Sequence, residues 1–465
     1  MSGSVANHAR YASLCAPSPF RCYAAPSLSL KGRGGVEPLA PQPISTDKAA
    51  MAQITSRFEL RNWLRKKPRS WSQVLAARAA LQVIPYAFNR RMQKKWYKSN
   101  ALALIRPSSL SWIIVNTQNS NVDLIYSVLK STDGCDNASI SAEAFGQNNV
   151  SYAFDTSSNA ARTVSGITYS IRASNALADA ALATFNDANR ICVWRNCSYD
   201  CDWLSGQSDA DLAAYTLTRM PLWSVSEPDD WQQSWRYSSA LLSNLDPTYQ
   251  VWINWYNRRI EGHDAAFDIP GDTNRIHDKA ILARLAGATD EDFWGKGATY
   301  VNTTLQGWID EARIEARIDQ ITAKLRGGAT AHYGAPEELA ERAVLLDELD
   351  RLLGKSPQAR HGIGGNHPPE PIDASEQSMA LAEEVREPLE VISTELEKRE
   401  PDALVVVEQV KLLHRAGRKL QKMGGLASDE FAKSVGGELG KRIVQAAFWL
   451  TLINQILDWL APLIR

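Results

Sequence analysis

Two His-Asp pairs carry the side chains that a metal-dependent hydrolase would need: His263-Asp264 and His277-Asp278. Imidazole and carboxylate groups are both good ligands for divalent metals. The pairs lie fourteen residues apart across a Pro-Gly turn, and this spacing does not match two helices that present both pairs to one metal. We therefore assign no catalytic residue and no metal ligand to them.

Three of the six cysteines are close in sequence: Cys192, Cys197 and Cys201. A structural zinc site normally has four ligands, and this cluster lacks a fourth, with no histidine within fifty residues of it. We predict free thiols. The weak disulfide pattern and the lack of a secretory segment predict a cytoplasmic protein.

The usual motifs of nucleotide binding and hydrolysis are missing as well. There is no phosphate-binding glycine loop, no G-x-S-x-G and no H-E-x-x-H. Gly362, Gly364 and Gly365 lie in a proline-rich stretch and not between a strand and a helix, so they do not indicate a nucleotide site. The sequence thus predicts no cofactor and favours a non-enzymatic protein.

Positive charge is concentrated in residues 51–110, which hold thirteen Lys/Arg and one acidic residue, while the whole chain has a net charge of −1. Five of these basic side chains interleave with aromatic ones: Arg90, Arg91, Lys94, Lys95 and Lys98. Such a pattern can bind nucleic-acid phosphates or anionic lipid headgroups, with the rings stacking or lying at a membrane interface. It is also typical of a solvated helix face whose rings pack inward, and we favour this second interpretation.

Residues 221–263 contain five of the fifteen tryptophans and the clearest helix signals. Asp246-Pro247 predicts a helix start, and Gly262 predicts its end. Five residues between them recur on one helical face: Tyr249, Trp252, Ile253, Tyr256 and Ile260. This spacing predicts a packed structural core.

Trp255 lies off that apolar face and is followed closely by Arg258 and Arg259. We predict that these three residues form the exposed edge of the segment and its candidate binding site. A platform of rings that stacks on sugars or bases is the alternative use of the segment, but the helical spacing of the rings favours core packing.

Residues 443–464 read as one apolar helix of about 33 Å, close to the thickness of a bilayer core. Four polar residues fall in a narrow arc of this helix: Thr451, Asn454, Gln455 and Asp458. Three arrangements fit: a core helix whose polar arc meets solvent, a helix in a membrane interface, or a span within an oligomer with its polar arc inward. We favour the first; the other two would associate the protein with the inner membrane.

Helical patterns dominate the remaining sequence and predict an all-α fold. Residues 107–215 are rich in Ser, Asn, Ala and Thr, and we expect helices there because of the alanine content. Two heptad seams predict an antiparallel hairpin, with these positions inside: Ile314, Ile318, Ile321, Leu325, Leu339, Leu346, Leu349 and Leu353. Further heptads predict a C-terminal three-helix bundle, in which one helix ends at Gly424-Gly425 and the last begins near Ser428.

These patterns divide the chain into five parts. Residues 1–50 are interpreted as a disordered extension upstream of a natural start at Met51, because prolines and small residues dominate them. Residues 51–300 are predicted to form a helical domain with the basic block and the Trp-rich core, and 301–353 the hairpin. Residues 354–375 are a Gly/Pro linker, and 376–465 the C-terminal bundle.

Three stretches together resemble a group of uncharacterised alphaproteobacterial proteins: WSQVLAARAALQVIP, the segment around VWINWYNRR, and GIGGNHPPE. Proteins of that group carry an ARAALR-type helix, a W-x-x-WY-x-x-R segment and a GIGHN-x-PPE linker. The resemblance implies helices for residues 110–215 and names no known activity. This chain departs from the group where Ser and Asn replace alanines, and at Gly365, where the group has histidine.

The function that the sequence favours is that of a non-enzymatic bacterial helical protein, which acts through protein–protein contacts and oligomerises through its heptad helices. One alternative is a membrane-acting effector that inserts its C-terminal helix into an anionic membrane. The other is a nucleic-acid-binding protein that uses the basic block 57–106, although no nucleic-acid-binding motif accompanies that block.

Overall fold

The computed structural model describes residues 54–88, 94–117, 122–145, 147–165, 168–184, 187–225, 227–353, 376–435 and 446–464. Side chains are described in these ranges except at 122–128, 376–379, 382, 420–435 and 446–448. The extension 1–50, the linker 354–375, and Arg90 and Arg91 of the basic block lie outside the described residues.

The described residues form sixteen α-helices and contain no β-strand, which confirms the predicted all-α fold. Most of the described residues in the Ser- and Asn-rich range 107–215 are helical, with short turns such as 206–209 between the helices. The helices are α1 (Arg57–Leu64), α2 (Arg69–Val83), α3 (Lys94–Thr117), α4 (Val122–Ala144), α5 (Asn148–Ser165), α6 (Tyr169–Ala183), α7 (Asp187–Ser205), α8 (Ala210–Leu217), α9 (Trp231–Leu245), α10 (Gln250–Glu261), α11 (Ile276–Gly287), α12 (Ala298–Arg326), α13 (Pro336–Leu352), α14 (Glu376–Glu397), α15 (Ala403–Val435) and α16 (Ala446–Leu460).

Helix α10 begins and ends where the local sequence predicts. Asp246 accepts a hydrogen bond from the Thr248 amide (Oδ1–N 2.9 Å), and Pro247 opens a short 3-10 turn that leads into the helix. Gly262 ends it with a φ of 74°, a left-handed conformation that favours glycine. A Cβ at Gly262 would also lie 2.5 Å from the Pro221 nitrogen. Both backbone conformation and close packing therefore require glycine there.

The first hydrophobic core is formed by α1 to α11 and the first half of α12. Its central helices α2, α5 and α6 bury many small residues, chiefly alanine, serine and threonine. Hydroxyl groups inside the core hydrogen-bond between neighbouring helices, as in Ser108–Ser157 (3.0 Å) and Ser139–Ser151 (2.8 Å). This core therefore combines close helix packing with internal hydrogen bonds.

A buried arginine of α2 links three parts of the first core. Arg78 is 3% exposed and pairs with Asp200 of α7 (Nε–Oδ2 2.9 Å). Its other nitrogens donate to the carbonyls of Leu217, Pro221 and Leu222, at 3.0, 2.9 and 3.0 Å. Arg78 is the arginine of the ARAAL stretch, so this stretch has a structural role. It joins α2 to α7 by an ion pair and to the end of α8 and the following segment by hydrogen bonds.

The second core is formed by the second half of α12 with α13 to α16, and it consists mainly of Leu, Ile and Val. The heptads of α14 and α15 supply its centre: Val385, Leu389, Ile392, Leu396, Val406, Val410 and Leu413. In α13 the predicted seam is partly wrong. Leu349 is buried, but Leu339 is 45% exposed, and Leu345 and Leu352 take the buried positions.

Two further predictions for this half of the chain are wrong. Helix α15 continues through Gly424-Gly425 to Val435, so no helix ends at that pair and none begins near Ser428. Helices α12 and α13 contact each other too little to form the expected antiparallel hairpin; both instead pack on α16, which also contacts α15. A hydrogen bond from the His332 amide to the Leu463 carbonyl (3.0 Å) joins the segment between α12 and α13 to the residues that follow α16.

Helix α12 runs through both cores. Leu305 and Ile309 belong to the first core, whereas Ile318 and Ile321 belong to the second. The described chain from residue 54 onward is accordingly one compact unit, with two cores that share a helix.

Candidate functional site

The three lysines of the basic stretch that interleaves with aromatic residues lie on α3. All three are exposed and form no ion pair within the described part of the chain: Lys94, Lys95 and Lys98. The neighbouring rings point inward, since Tyr97 is buried and Trp96 packs edge-on against Phe154 with ring centroids 5.5 Å apart. The cations are thus available to solvent, but the interleaved rings are not available for stacking.

The predicted exposed site at Trp255 is wrong. Trp255 is 2% exposed, and its ring lies edge-on to Trp112 of α3 and to Trp252, with centroids 6.1 and 5.9 Å away. Arg259 is buried too, with its guanidinium carbon 4.4 Å from the centre of the Trp112 ring. The helical wheel of α10 identified one buried face, but Trp112 of α3 covers the side on which Trp255 lies.

The two arginines of this predicted site hydrogen-bond to the loop that follows Gly262. The Nε of Arg258 donates to the Ala265 carbonyl (3.1 Å), and Arg259 donates to the same oxygen. The Nε and Nη1 of Arg259 are buried without a hydrogen-bond partner among the described residues, and burial lowers the pKa of Arg259 to about 9. Arg258 remains half-buried at the surface. The chain after Gly262 therefore folds back and closes the edge that we expected to be open.

The polar arc of the C-terminal helix lies on the solvent side of α16. Thr451, Gln455 and Asp458 are exposed, and Asn454 is half-buried. Asp458 pairs with Arg317 of α12 (2.6 Å), and the opposite face of α16 belongs to the second core. Within the described residues, we find no helix with the length and apolar character needed to cross a membrane. In this structure α16 is a core helix whose polar arc meets solvent.

The histidines of the two His-Asp pairs lie on different surfaces. His263 contacts the Glu261 carboxylate (2.7 Å), whereas His277 lies 3.3 Å from Glu315 and 3.4 Å from Asp319 of α12. A search of the described residues finds no group of three or more His, Cys, Asp or Glu side chains arranged to hold a metal ion.

The two aspartates of those pairs meet at Arg275. The Nη2 of Arg275 lies 2.8 Å from Asp278 Oδ2, and its Nη1 lies 3.3 Å from Asp264 Oδ1. Arg275 has a φ of 57°, the only positive φ of a non-glycine residue in the described ranges. Such a conformation costs roughly 1–3 kcal/mol and is often found at functional sites, so the ion pairs hold Arg275 in a strained position.

Beside Arg275 lies a cleft of about 670 Å³ between the end of α3, α8 and α11, which we call the Arg275 cleft. Tyr215 and Lys279 line it, and Lys279 is exposed with no ion pair in the described ranges. Leu212 in its wall is 57% exposed, and Ile276, next to Arg275 in the chain, is 64% exposed. The cleft thus combines an available cation with exposed apolar side chains.

The sequence contains only part of the signal for this cleft. Arg275, Lys279 and Ala283 are spaced by four residues, which predicts that they share a face of α11. The contribution of α8, sixty residues earlier, depends on tertiary packing, as does the left-handed backbone of Arg275. No local pattern reports either of these.

Comparisons with protein-family models, with curated proteins and with solved structures find no match to this chain.

Proposed function

We propose that this protein is a non-enzymatic helical binding protein that recognises a partner protein at the Arg275 cleft. The observation that carries the proposal is the side-chain composition of the cleft: the cation of Lys279 next to the strained, buried Arg275, with Leu212 and Ile276 exposed beside them. Exposed apolar side chains beside a tyrosine are typical features of a protein-interaction surface.

The chemistry of the cleft indicates an acidic partner segment with one apolar side chain. Lys279 supplies an available positive charge, so a carboxylate of the partner would find a match there. Leu212 supplies apolar surface that a partner would remove from water. Arg275 is already bound by Asp264 and Asp278, and we assign it the role of shaping the cleft.

The heptad helices do not support the expected route to oligomerisation. Their apolar positions are used inside the second core, as Leu389, Leu413 and Ile318 illustrate with 0, 0 and 2% exposure. A second copy of the chain would have to bind through another surface. We keep it as a possible occupant of the Arg275 cleft that the experiment below identifies.

The two alternative functions have less support. A nucleic-acid site would retain only Lys94, Lys95 and Lys98 of the basic pattern, without the stacking rings. A membrane-acting function would require α16 to leave the second core, in which Trp449, Leu452 and Ile456 are buried. We therefore also propose the cytoplasm as the site of action.

Site-specific photo-crosslinking in the native cell tests the proposal. The photoreactive residue p-benzoylphenylalanine replaces Leu212 in the cleft and, as the matched control, Val344 on α13, which is 69% exposed. We expect one discrete crosslinked protein from position 212 and none from position 344. The same crosslink should be lost when Lys279→Glu reverses the charge of the cleft.

Two results would contradict the proposal. One is an identical set of crosslinks from positions 212 and 344, which would show nonspecific contact. The other is a crosslink at position 212 that persists unchanged in Lys279→Glu. The mass of the crosslinked species separates a second copy of this chain from a different protein.

A further inference from the structure

A small cavity lies where the two cores meet, between α12, α15 and α16. Its volume is about 210 Å³. A cavity of roughly 150 Å³ in a protein interior is enough to hold benzene. The rings of Trp308 and Trp449 belong to its wall, and Trp308 stacks on Phe293 with centroids 5.1 Å apart, which fixes its position. The cavity thus has the size and the aromatic wall for a molecule of one or two rings.

His414 of α15 lines the cavity and is 5% exposed. Its Nε2 is buried and has no hydrogen-bond partner among the described residues. The other ring nitrogen, Nδ1, lies 4.0 Å from Glu315 Oε1; this is too long for a hydrogen bond, but the negative charge on that side favours the tautomer with the proton on Nδ1 and a lone pair on Nε2. Burial lowers the pKa of His414, so the ring is neutral near pH 7. A buried acceptor without a donor is unfavourable, and a bound donor would relieve this.

The charged side chains of the cavity wall are already paired. Glu311 lies between Arg284 (2.8 Å) and Arg418, and Arg418 also binds Glu315 (2.6 Å). A charged ligand would add an uncompensated charge at a largely buried place, which is strongly unfavourable. The wall is therefore matched to a neutral molecule.

Gly307 lines the cavity and is exposed to solvent, so it lies at the cavity mouth. It lies in the middle of α12, where glycine destabilises a helix by roughly 1 kcal/mol relative to alanine. A Cβ at this position would meet no atom within 4 Å, so packing of the described chain does not require glycine there. A larger side chain at 307 would instead extend from the wall next to Trp308 and reduce the open volume.

We propose that this cavity binds a neutral aromatic molecule of one or two rings that carries one N–H or O–H donor. The ring lies among Trp308, Trp449 and the aliphatic side chains of α16, and the donor hydrogen-bonds to His414 Nε2. The site is separate from the Arg275 cleft in its residues, its charge and its ligand.

Calorimetric titration of the full-length protein with indole and with phenol tests this site. We expect at least one of them to bind, and 1-methylindole, which lacks the N–H, to bind about tenfold more weakly than indole, as one hydrogen bond accounts for. Gly307→Leu should abolish binding of both probes while the melting temperature stays the same or rises, because leucine is the better helix former.

Two further variants separate the ligand site from a structural role. Gly307→Ala makes the same change in helix propensity with little added volume, and should bind indole within about threefold of the wild-type protein. His414→Phe keeps an aromatic ring but removes the acceptor, and should bind indole and 1-methylindole equally.

The proposal is overturned if neither indole nor phenol binds at millimolar concentration, or if Gly307→Leu binds them as the wild-type protein does. It is also overturned if crystals grown with indole show an ordered water on His414 Nε2 and no ring in the cavity. That result would make the cavity a hydration site.

Discussion

The two cores of this protein are built in different ways although they share α12. The first buries alanine, serine and threonine and contains internal hydrogen bonds such as Ser108–Ser157 and Ser139–Ser151. The second buries Leu, Ile and Val from regular heptads. In the first core, close approach of the helices and satisfied polar groups stabilise the fold. In the second core, the removal of apolar surface from water stabilises it.

Buried ion pairs show the same difference on a smaller scale. In the first core Arg78 of α2 binds Asp200 of α7, across 122 positions of sequence. In the second core Arg342 binds Glu338 one turn earlier in the same helix (3.1 Å). The first pair therefore joins two distant helices directly. The second pair lies within one helix, although Arg342 also donates to the Lys398 carbonyl (2.8 Å) and Glu338 accepts from Trp459 Nε1 (3.3 Å).

Loss of the long-range pair is the largest effect that we predict. Arg78→Met should lower the free energy of unfolding by about 3–5 kcal/mol, because Asp200 is left charged and buried without its partner. Arg342→Met is the matched change in the second core. It should cost about 1–3 kcal/mol, since Glu338 keeps the Gly334 amide as a donor at 2.9 Å. Urea-induced unfolding of both variants measures the difference.

The double variant Arg78→Met/Asp200→Asn is the control for this comparison. It should recover part of the loss, because no unpaired buried charge remains. Equal destabilisation by Arg78→Met and Arg342→Met would refute the distinction between a long-range pair and a local one.

Sequence patterns were reliable where one helix determines its own structure. The cap at Asp246, the end at Gly262 and the buried positions of α14 and α15 follow from local spacing, and the structure has them as predicted. The same reasoning failed at Gly424-Gly425, where helix α15 continues despite two poor helix formers. Helix propensity is a weak constraint that the rest of a protein commonly overrides, so a pair of glycines alone does not fix where a helix ends.

The site predictions failed for a related reason. A helical wheel shows only which residues of α10 share a face, and it placed Trp255 outside the main apolar face. Trp112 of α3 packs on that side of α10 and buries Trp255. The Arg275 cleft and the cavity at His414 each need three helices from distant parts of the sequence. The positions of those helices relative to one another are not contained in any local pattern.

The difference between the cores also predicts losses of stability of different size when a buried side chain is truncated. Leu413→Ala in the second core should cost about 2–5 kcal/mol, because it leaves a cavity among aliphatic side chains. Ser157→Ala in the first core should cost only about 0.5–1.5 kcal/mol, because Ser108 still donates to the Leu104 carbonyl (2.9 Å). Chemical denaturation gives both values, and a Ser157→Ala loss as large as that of Leu413→Ala would count against our account of the first core.

The last effect that we predict is a pH dependence that originates in the first core. Burial raises the pKa of Asp179 to about 7, against the opposing hydrogen bond from Asn159 (2.9 Å). In the unfolded chain this carboxyl titrates near 4. Between pH 4 and 7 the folded state therefore binds more protons than the unfolded state, so the free energy of unfolding falls as the pH rises.

Asp179→Asn removes that titration and should flatten the profile between pH 4 and 7, where the wild-type protein loses on the order of a few kcal/mol. At the junction of the two cores, His414 should contribute a pH dependence of the opposite sign. His414 has a lowered pKa, so its contribution to stability is present above pH 6.5 and is lost as the pH falls. Unfolding at pH 5 and pH 8 measures both effects, with His414→Phe as the second variant. Parallel profiles for Asp179→Asn and the wild-type protein would mean that the Asp179 carboxyl is solvated, and that the polar interior of the first core is more accessible to water than its packing implies.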